Sequence, residues 1–143
     1  MLSPLLGPHG LAEVVVHAPD HPGVFSEIAG GIALARGSIV DAKIFTLTDS
    51  MVLDTFTVQS AEGEAMDQPH RLERLRDTVV KAVGGTLDLR GELARKSRKL
   101  PARAKAFSVP PRVIVHEEAS KTHTVIEVNG RDRPGFLYAV TSA

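Results

Sequence analysis

The sequence predicts an α+β fold of the ferredoxin-like type, in which an antiparallel sheet carries two helices on one face. Three observations support this prediction. Residues 12–85 follow the order β-α-β-β-α, the expected strands alternate apolar and polar residues, and a strand-loop-helix pattern recurs after residue 124. A chain of 143 residues that is 43% hydrophobic and 24% charged fits one or two small globular domains.

The first predicted strand runs from Ala12 to Ala18, and Pro22-Gly23 then opens a helix. Asp20 or His21 is expected near the N-cap of this helix, and Gly37 is expected to end it. The helical spacing is carried by four apolar residues, Val24, Ile28, Ile32 and Ala35.

A β-hairpin and a second helix follow. Ser38–Thr48 and Met51–Ser60 read as its two strands, and Thr48-Asp49-Ser50 supplies the turn. In the first strand Val40, Ala42 and Ile44 share one face, and the opposite face carries Asp41, Lys43, Phe45 and Leu47. Asp67 is expected to cap the second helix, which Gly84-Gly85 ends.

An internal repeat organises the chain, because the pattern of Glu13–Phe25 returns as Val125–Leu137. Asp20, Pro22 and Gly23 fall on Asp132, Pro134 and Gly135. We therefore predict a first unit at 11–85, a solvated basic linker at 86–106, and the start of a second unit at 107–143. The hairpin expected from Phe107–Glu117 and Thr122–Asn129 belongs to the second unit, completes the first sheet, or pairs in a strand-swapped dimer.

Composition narrows the functional classes. The chain has no cysteine, so disulfides, thiolate metal sites and a cysteine nucleophile are excluded. Its 17 basic and 17 acidic residues give zero net charge, which offers no support for binding nucleic acid or an anionic membrane. No apolar run reaches membrane-spanning length and no secretory leader is evident, so we expect a soluble, cytoplasmic protein. No metal site, phosphate loop or catalytic residue is predicted.

The residues resemble the ACT domain family, small βαββαβ modules that bind amino acids and regulate enzymes. The resemblance rests on Asp20-His-Pro-Gly-Val-Phe25 and on Asp132-Arg-Pro-Gly-Phe-Leu137. More narrowly, Ile39-Val-Asp-Ala-Lys-Ile-Phe-Thr46, Met51-Val-Leu-Asp-Thr-Phe-Thr-Val58 and His123–Gly135 resemble the C-terminal tandem ACT region of the bifunctional uridylyltransferase/uridylyl-removing enzymes. That family region begins with a further strand, of which Met1–Gly10 is expected to supply little.

The resemblance implies a glutamine-sensing region that controls uridylylation and deuridylylation of the PII nitrogen regulatory protein. The catalytic domains would lie elsewhere in the parent enzyme, which is expected to use a divalent metal such as Mg²⁺, whereas this segment is expected to need no cofactor and to catalyse nothing. An amino acid needs a carboxylate acceptor for its ammonium and N–H donors for its carboxylate, and a strand-to-helix loop supplies both. The candidate ligand-binding residues are Asp20, His21, Pro22, Gly23, Val24, Phe25, Asp41, Asp132, Arg133, Gly135 and Phe136.

Simpler interpretations stand beside these. Asp before Pro-Gly is also an ordinary helix cap, and Asp41 and Lys43 also suit a solvated cross-strand pair. We expect a homodimer that binds L-glutamine or another small amino acid. In a second hypothesis the chain is only an assembly module and binds no ligand. RNA binding by a ferredoxin-like sheet is a third hypothesis, but five Phe, one Tyr and no Trp offer few stacking platforms.

Overall fold

A computed structural model describes residues 2–6, 10–98, 110, 112–129 and 135–142. It divides into two compact units, Met1–Arg98 with Pro134–Ala143 and Lys99–Arg133. The strands are β1 (Leu2–Leu6), β2 (Ala12–Pro19), β3 (Gly37–Thr46), β4 (Met51–Ser60), β5 (Arg112–His116) and β6 (Val125–Asn129). The helices are α1 (Val24–Leu34), α2 (Pro69–Val83), α3 (Leu89–Arg98) and α4 (Phe136–Thr141).

The larger unit is built on a four-stranded antiparallel sheet in the order β1-β2-β4-β3. Alternate residues of β2 and β4 are buried, because one face of the sheet packs against α1 and α2. The largest fully buried side chains of the resulting core include Phe56, Ile28, Ile32, Met66, Leu75, Val14, Val58 and Val79. The observed architecture is α+β with an antiparallel sheet and is compatible with the predicted ferredoxin-like fold.

The N-terminal segment contributes more than the sequence indicated. The expectation that Met1–Gly10 supplies little of an upstream strand is wrong, because β1 pairs with β2 from Leu2↔Val16 to Leu6↔Ala12. β1 occupies the edge of the sheet beside β2. β5 pairs with β6 in a separate two-stranded sheet.

The predicted hairpin of β3 and β4 is confirmed. Its turn is closed by the Leu47 N–H, which donates to the Met51 carbonyl at 2.7 Å, and Ser50 adopts a left-handed φ of 61°. A register shift between Ile39 and Asp41 marks a β-bulge. Beyond the bulge, the register places alternate β3 residues on opposite faces of the sheet, as the alternation predicted.

Helix ends differ from the predictions by one to three residues. α1 ends at Leu34 with Ala35 as its C-cap, and the left-handed residue that follows is Arg36 (φ 64°), not Gly37. Gly37 instead begins β3, where a Cβ would lie 2.7 Å from Val58 Cγ1. The N-cap of α2 is Gln68 and not Asp67, because Pro69 takes the first helical position.

Within the predicted linker, Leu89–Arg98 forms the helix α3 rather than an irregular solvated segment. Leu89 and Leu93 of α3 are 7% and 8% exposed, which shows that its apolar side packs into the larger unit. Lys96 donates to the carbonyls of Ala33 and Leu34 at the end of α1, and the Leu34 bond measures 3.2 Å. Burial lowers the pKa of Lys96 to about 8. The basic residues that suggested a linker therefore include a lysine that caps α1.

Helices α2 and α4 both pack against α1, and two adjacent glycines of α1 permit their close approach. A Cβ at Gly31 would meet the Val79 Cα at 3.0 Å and the Ala82 Cβ at 3.1 Å on α2. A Cβ at Gly30 would meet the Tyr138 ring of α4 at 2.9 Å. Side chains at these positions would force the helices apart.

The smaller unit holds the β5–β6 hairpin, whose strands pair from Arg112↔Asn129 to His116↔Val125. Val113, Val115 and Ile126 are more than half exposed. A two-stranded hairpin alone is marginally stable in water, so these side chains do not form a core of their own. In the described part of the chain, no helix is long and apolar enough to cross a membrane.

Candidate functional site

The loop that joins β2 to α1 has a defined backbone conformation. Gly23 is the N-cap of α1 and adopts φ 92°, ψ 0°, a left-handed conformation that glycine tolerates best. The Val24 N–H donates to the His21 carbonyl at 3.1 Å, and the Ser26 hydroxyl donates to the Gly23 carbonyl at 2.8 Å. Asp20 and His21 lie near the N-cap as expected, but the N-cap itself is Gly23 and no side chain caps the first turn. Pro22, which lies between His21 and Gly23, is exposed.

His21 is held over the first turn of α1 by Glu27. Its Nε2 lies 2.7 Å from the Glu27 Oε2, and both side chains are partly exposed. The hydrogen bond to Glu27 raises the pKa of His21 above 6.5, and burial offsets part of this rise. Protonation of His21 at mildly acidic pH therefore strengthens a contact that fixes the loop on the helix.

A second loop lies beside this one. The Asp20 N–H donates to the Ser50 carbonyl in the β3–β4 turn at 2.9 Å, and the Asp20 side chain is exposed. Val24 is buried, and the Phe25 ring packs at 5.7 Å between centroids against Phe56 of β4. The predicted residues 20–25 thus lie together at one end of the sheet, with an exposed acidic side chain outward and an apolar anchor inward.

The second copy of the motif has the same local geometry where it is described. Gly135 is the N-cap of α4 with φ 78°, ψ 8°, close to the values of Gly23. A Cβ at Gly135 would approach Leu93 of α3 at 3.4 Å, and Phe136 is partly buried. The candidate residues Asp132 and Arg133 lie outside the described residues.

Asp41 and Lys43 are not brought to the loop. They pair with Thr57 and Thr55 on β4, on the sheet face opposite the helices, and both are exposed. The loop begins beside Met51, six residues along β4 from Thr57, a separation of about 20 Å at the usual rise of a strand. A role for Asp41 in the same site as Asp20 therefore has no geometric support.

Asp54, which was not among the predicted site residues, is fully buried on the helix-facing side of β4. Neither of its carboxylate oxygens has a hydrogen-bond partner in the described part of the chain. Burial raises the pKa of Asp54, the backbone N–H of Phe45 opposes that rise, and the nearby Asp20 charge adds to it. The alternation along β4 could have predicted this burial, because Asp54 lies an even number of residues from the core residues Val52, Phe56 and Val58 and therefore on the same face of the strand.

Metal coordination is not supported by the arrangement of acidic and histidine side chains. Among the described residues, no group of three or more His, Asp or Glu side chains is positioned to hold a metal ion. His21 is bound to Glu27, and His116 lies 3.0 Å from Glu127 across the β5–β6 hairpin. The loop of residues 20–25 is the part of the predicted ligand site that the structure brings together.

The fold defines the chain as an α+β module in which the β2–α1 loop lies at one end of an antiparallel sheet. Comparison with known proteins places the module within longer relatives. The chain is 56% identical over 133 residues to the bifunctional uridylyltransferase/uridylyl-removing enzyme of Rhodospirillum rubrum, covering 93% of this chain and 14% of that enzyme. The enzymes of the same name from Gluconobacter oxydans and Azospirillum brasilense are 52% and 47% identical over 135 and 134 residues, again 14% of their lengths.

This chain is therefore homologous to a segment of the bifunctional uridylyltransferase/uridylyl-removing enzymes, which confirms the predicted resemblance. It spans about one seventh of the length of these relatives. No protein-family model matches the chain. No solved structure matches it either.

Proposed function

We propose that this chain is a regulatory segment that binds L-glutamine and controls the uridylylation and deuridylylation of the PII protein by an enzyme like its relatives. The observation that carries the proposal is the loop of residues 20–25, in which left-handed Gly23 opens α1 and presents its first turn. Homology to a segment of these enzymes supports it independently. The segment itself takes no part in the chemistry, and the catalytic domains belong to the rest of such an enzyme.

The loop has the chemistry that a free amino acid requires. The start of α1 offers backbone N–H groups and the positive end of a helix dipole to the ligand's α-carboxylate. Asp20 adds negative charge on the exposed side, which favours the ligand's ammonium. Glutamine would be distinguished from glutamate because an additional carboxylate would lie unpaired in a site that provides for a neutral amide.

Control of distant catalysis requires that glutamine bind one arrangement of the protein more tightly than another, because equal affinity shifts no equilibrium. The hydrogen bond between the Asp20 N–H and the Ser50 carbonyl offers a route for such control. A ligand bound at residues 20–25 would affect both the β2–α1 loop and the β3–β4 turn. We place such an enzyme in the cytoplasm.

The test is a thermal denaturation of this chain with L-glutamine, L-glutamate and a panel of other amino acids, followed by calorimetry. A ligand at 100 times its dissociation constant adds about 2.7 kcal/mol to the free energy of unfolding, which moves the midpoint by several degrees. We expect a shift with glutamine that weakens in Asp20→Ala and persists in Asp77→Ala, an exposed aspartate on α2. If no amino acid shifts the midpoint, the sensing proposal fails.

Assembly is a second candidate function, and exposed apolar side chains on β3 and β4 favour it. Phe45 is 56% exposed and its cross-strand partner Leu53 is 36% exposed, on the sheet face opposite the helices. Because β3 is an edge strand, a second copy could pair there. Light scattering coupled to size-exclusion chromatography tests this: a homodimer that Phe45→Glu dissociates would support it, and a monomer at all concentrations would exclude it.

A further inference from the structure

Basic side chains from three elements converge at the C-terminal end of α1. Lys96 of α3 donates to the carbonyls of Ala33 and Leu34, the latter at 3.2 Å. Arg36, in the turn that follows α1, lies with its Nη1 2.7 Å from the Oε1 of Glu62, a residue of the turn after β4. Two cations and one carboxylate therefore meet at the point where α1 ends.

Arg74 of α2 is the third cation. The strands β2 and β4 are antiparallel, so the helices α1 and α2, which follow them, run in opposite directions. Because Gly31 of α1 packs on Val79 of α2, the end of α1 lies one turn earlier on α2, at Leu75, with which Ala35 shares the core. Arg74 directly precedes Leu75 and is exposed, and within the described ranges no carboxylate pairs with its guanidinium.

The charges in this cluster are unbalanced. The pKa of Lys96 is lowered to about 8, first by burial and then by the positive charges of Arg36 and Arg74, whereas the charge of Glu62 opposes the shift. Glu62 is already paired with Arg36. The negative end of the α1 dipole adds only about half a charge, so an excess of positive charge remains.

We propose that the cluster of Arg36, Arg74 and Lys96 binds the phosphate group of a small ligand. Arg36 and Arg74 are exposed, so an anion reaches them from solvent. A guanidinium presents paired N–H donors that match two phosphate oxygens, and an ammonium adds donors that rotate to meet a third. Inorganic phosphate and the phosphate of a nucleotide share this chemistry.

This phosphate site is separate from the β2–α1 loop. The loop precedes α1 and the cluster follows it, and the 11 residues of the helix span about 16 Å. The inference therefore gives the chain a second ligand, and it does not depend on the binding of an amino acid at residues 20–25.

A titration of the ¹⁵N-labelled chain with inorganic phosphate, followed by NMR at constant ionic strength with sodium chloride as the reference salt, tests the proposal. We expect saturable shifts of the backbone amide signals of Arg36, Glu62 and Arg74. Arg74→Gln should weaken phosphate binding about fivefold, because a charge-assisted hydrogen bond to phosphate is lost. Arg76→Gln, which removes an exposed charge from another side of α2, should bind as the wild type does.

A gain of binding provides a readout that misfolding cannot imitate. Glu62→Gln should tighten phosphate binding about twofold, because it removes a negative charge beside the bound anion and frees Arg36. Shifts that do not saturate, that chloride reproduces, or that are unchanged in Arg74→Gln overturn the proposal and show an adventitious ion effect only. Weaker binding by a folded Glu62→Gln chain overturns it as well.

Adenosine monophosphate, with adenosine as its control, distinguishes the two sources of phosphate. Tighter binding than inorganic phosphate, with the same dependence on Arg74, supports a nucleotide as the ligand. Equal binding supports free phosphate. Binding of adenosine as tight as that of its monophosphate overturns recognition of the phosphate group, and the proposed binding of glutamine stands or falls by its own titration.

Discussion

The two copies of the strand-loop-helix motif share a backbone conformation but differ in burial. Gly23 and Gly135 are both N-caps with left-handed φ, at 92° and 78°. Yet α1 buries eight residues between the sheet and its neighbouring helices, whereas the six residues of α4 include none that is fully buried. The difference teaches that the turn residues set the local conformation of each copy, and that the surrounding elements set its stability.

The largest loss of stability is expected at Ile28, which corresponds to Val140 in the second copy of the motif. Ile28→Ala should lower the free energy of unfolding by about 2–5 kcal/mol, because Ile28 is fully buried in the core. Val140→Ala should cost less than about 1 kcal/mol, because Val140 is only partly buried. Urea denaturation followed by circular dichroism measures both, and equal losses would show that the two helices are equally well packed.

Asp54 has no counterpart within the second copy's residues, and its removal should increase stability. At neutral pH, Asp54→Asn should raise the free energy of unfolding by about 1 kcal/mol, since it removes a buried charge that lacks a partner. The pKa of Asp54 is raised in the folded chain, so its unfavourable contribution appears as pH rises above 3.8 and through the folded pKa. The gain should therefore shrink as pH falls towards 3.8, and a pH-independent gain in thermal midpoint would contradict this account.

The shared glycine conformation predicts similar penalties in the two copies. Gly23→Ala and Gly135→Ala should each cost about 1 kcal/mol, because an L-residue is strained at these φ values. A steric clash does not contribute to the penalty at Gly23, since the nearest atom to an added Cβ is the Ser26 Oγ at 3.6 Å. Denaturant midpoints of the two variants provide the measurement. A Gly23 penalty several times that of Gly135 would show that more than backbone strain is involved.

The smallest effect concerns the His21–Glu27 contact, which the repeat does not conserve: Arg133 and Ala139 stand at the corresponding positions. The folded pKa of His21 is raised above 6.5, so the contact's stabilisation is fully present below pH 6.5 and is lost as pH rises through the folded value. His21→Gln should lower the thermal midpoint at pH 5.5 and have less effect at pH 8.5. His70→Gln, at an exposed position on α2, is the control. Equal shifts at both pH values would exclude the titration.

Much of the larger unit could be predicted from periodicity, and the failures have physical causes. The alternation in Met51–Ser60 and the turn at Asp49-Ser50 specified the central hairpin. The N-cap of α1 was predicted only approximately, because a left-handed glycine takes the place of a capping side chain. The helix α3 was missed because its basic residues obscured Leu89 and Leu93. β1 was missed because Pro4 interrupts an edge strand, where the loss of one N–H donor is tolerated.

The candidate site was predictable only in part. The loop of residues 20–25 follows from the Asp-x-Pro-Gly pattern, since those residues are adjacent in sequence. Asp54 comes to the same end of the sheet only through the pairing of β2 with β4, which sequence reasoning did not translate into distances. Asp41 was grouped with the loop residues as a candidate for the same reason, although the register puts it about 20 Å from the loop.

The position of β1 has a consequence for how the repeated units are delimited. Each described copy consists of an antiparallel strand pair followed by a helix that starts at a left-handed glycine: β1, β2 and α1, then β5, β6 and α4. Each copy therefore begins with a pair of antiparallel strands, and the motif follows the second of them. The first copy has the order ββαββα, which is a circular permutation of βαββαβ. Truncations that preserve a cooperative unit should accordingly be cut before the hairpin of a copy, and a cut between its two strands would leave an unpaired sheet edge.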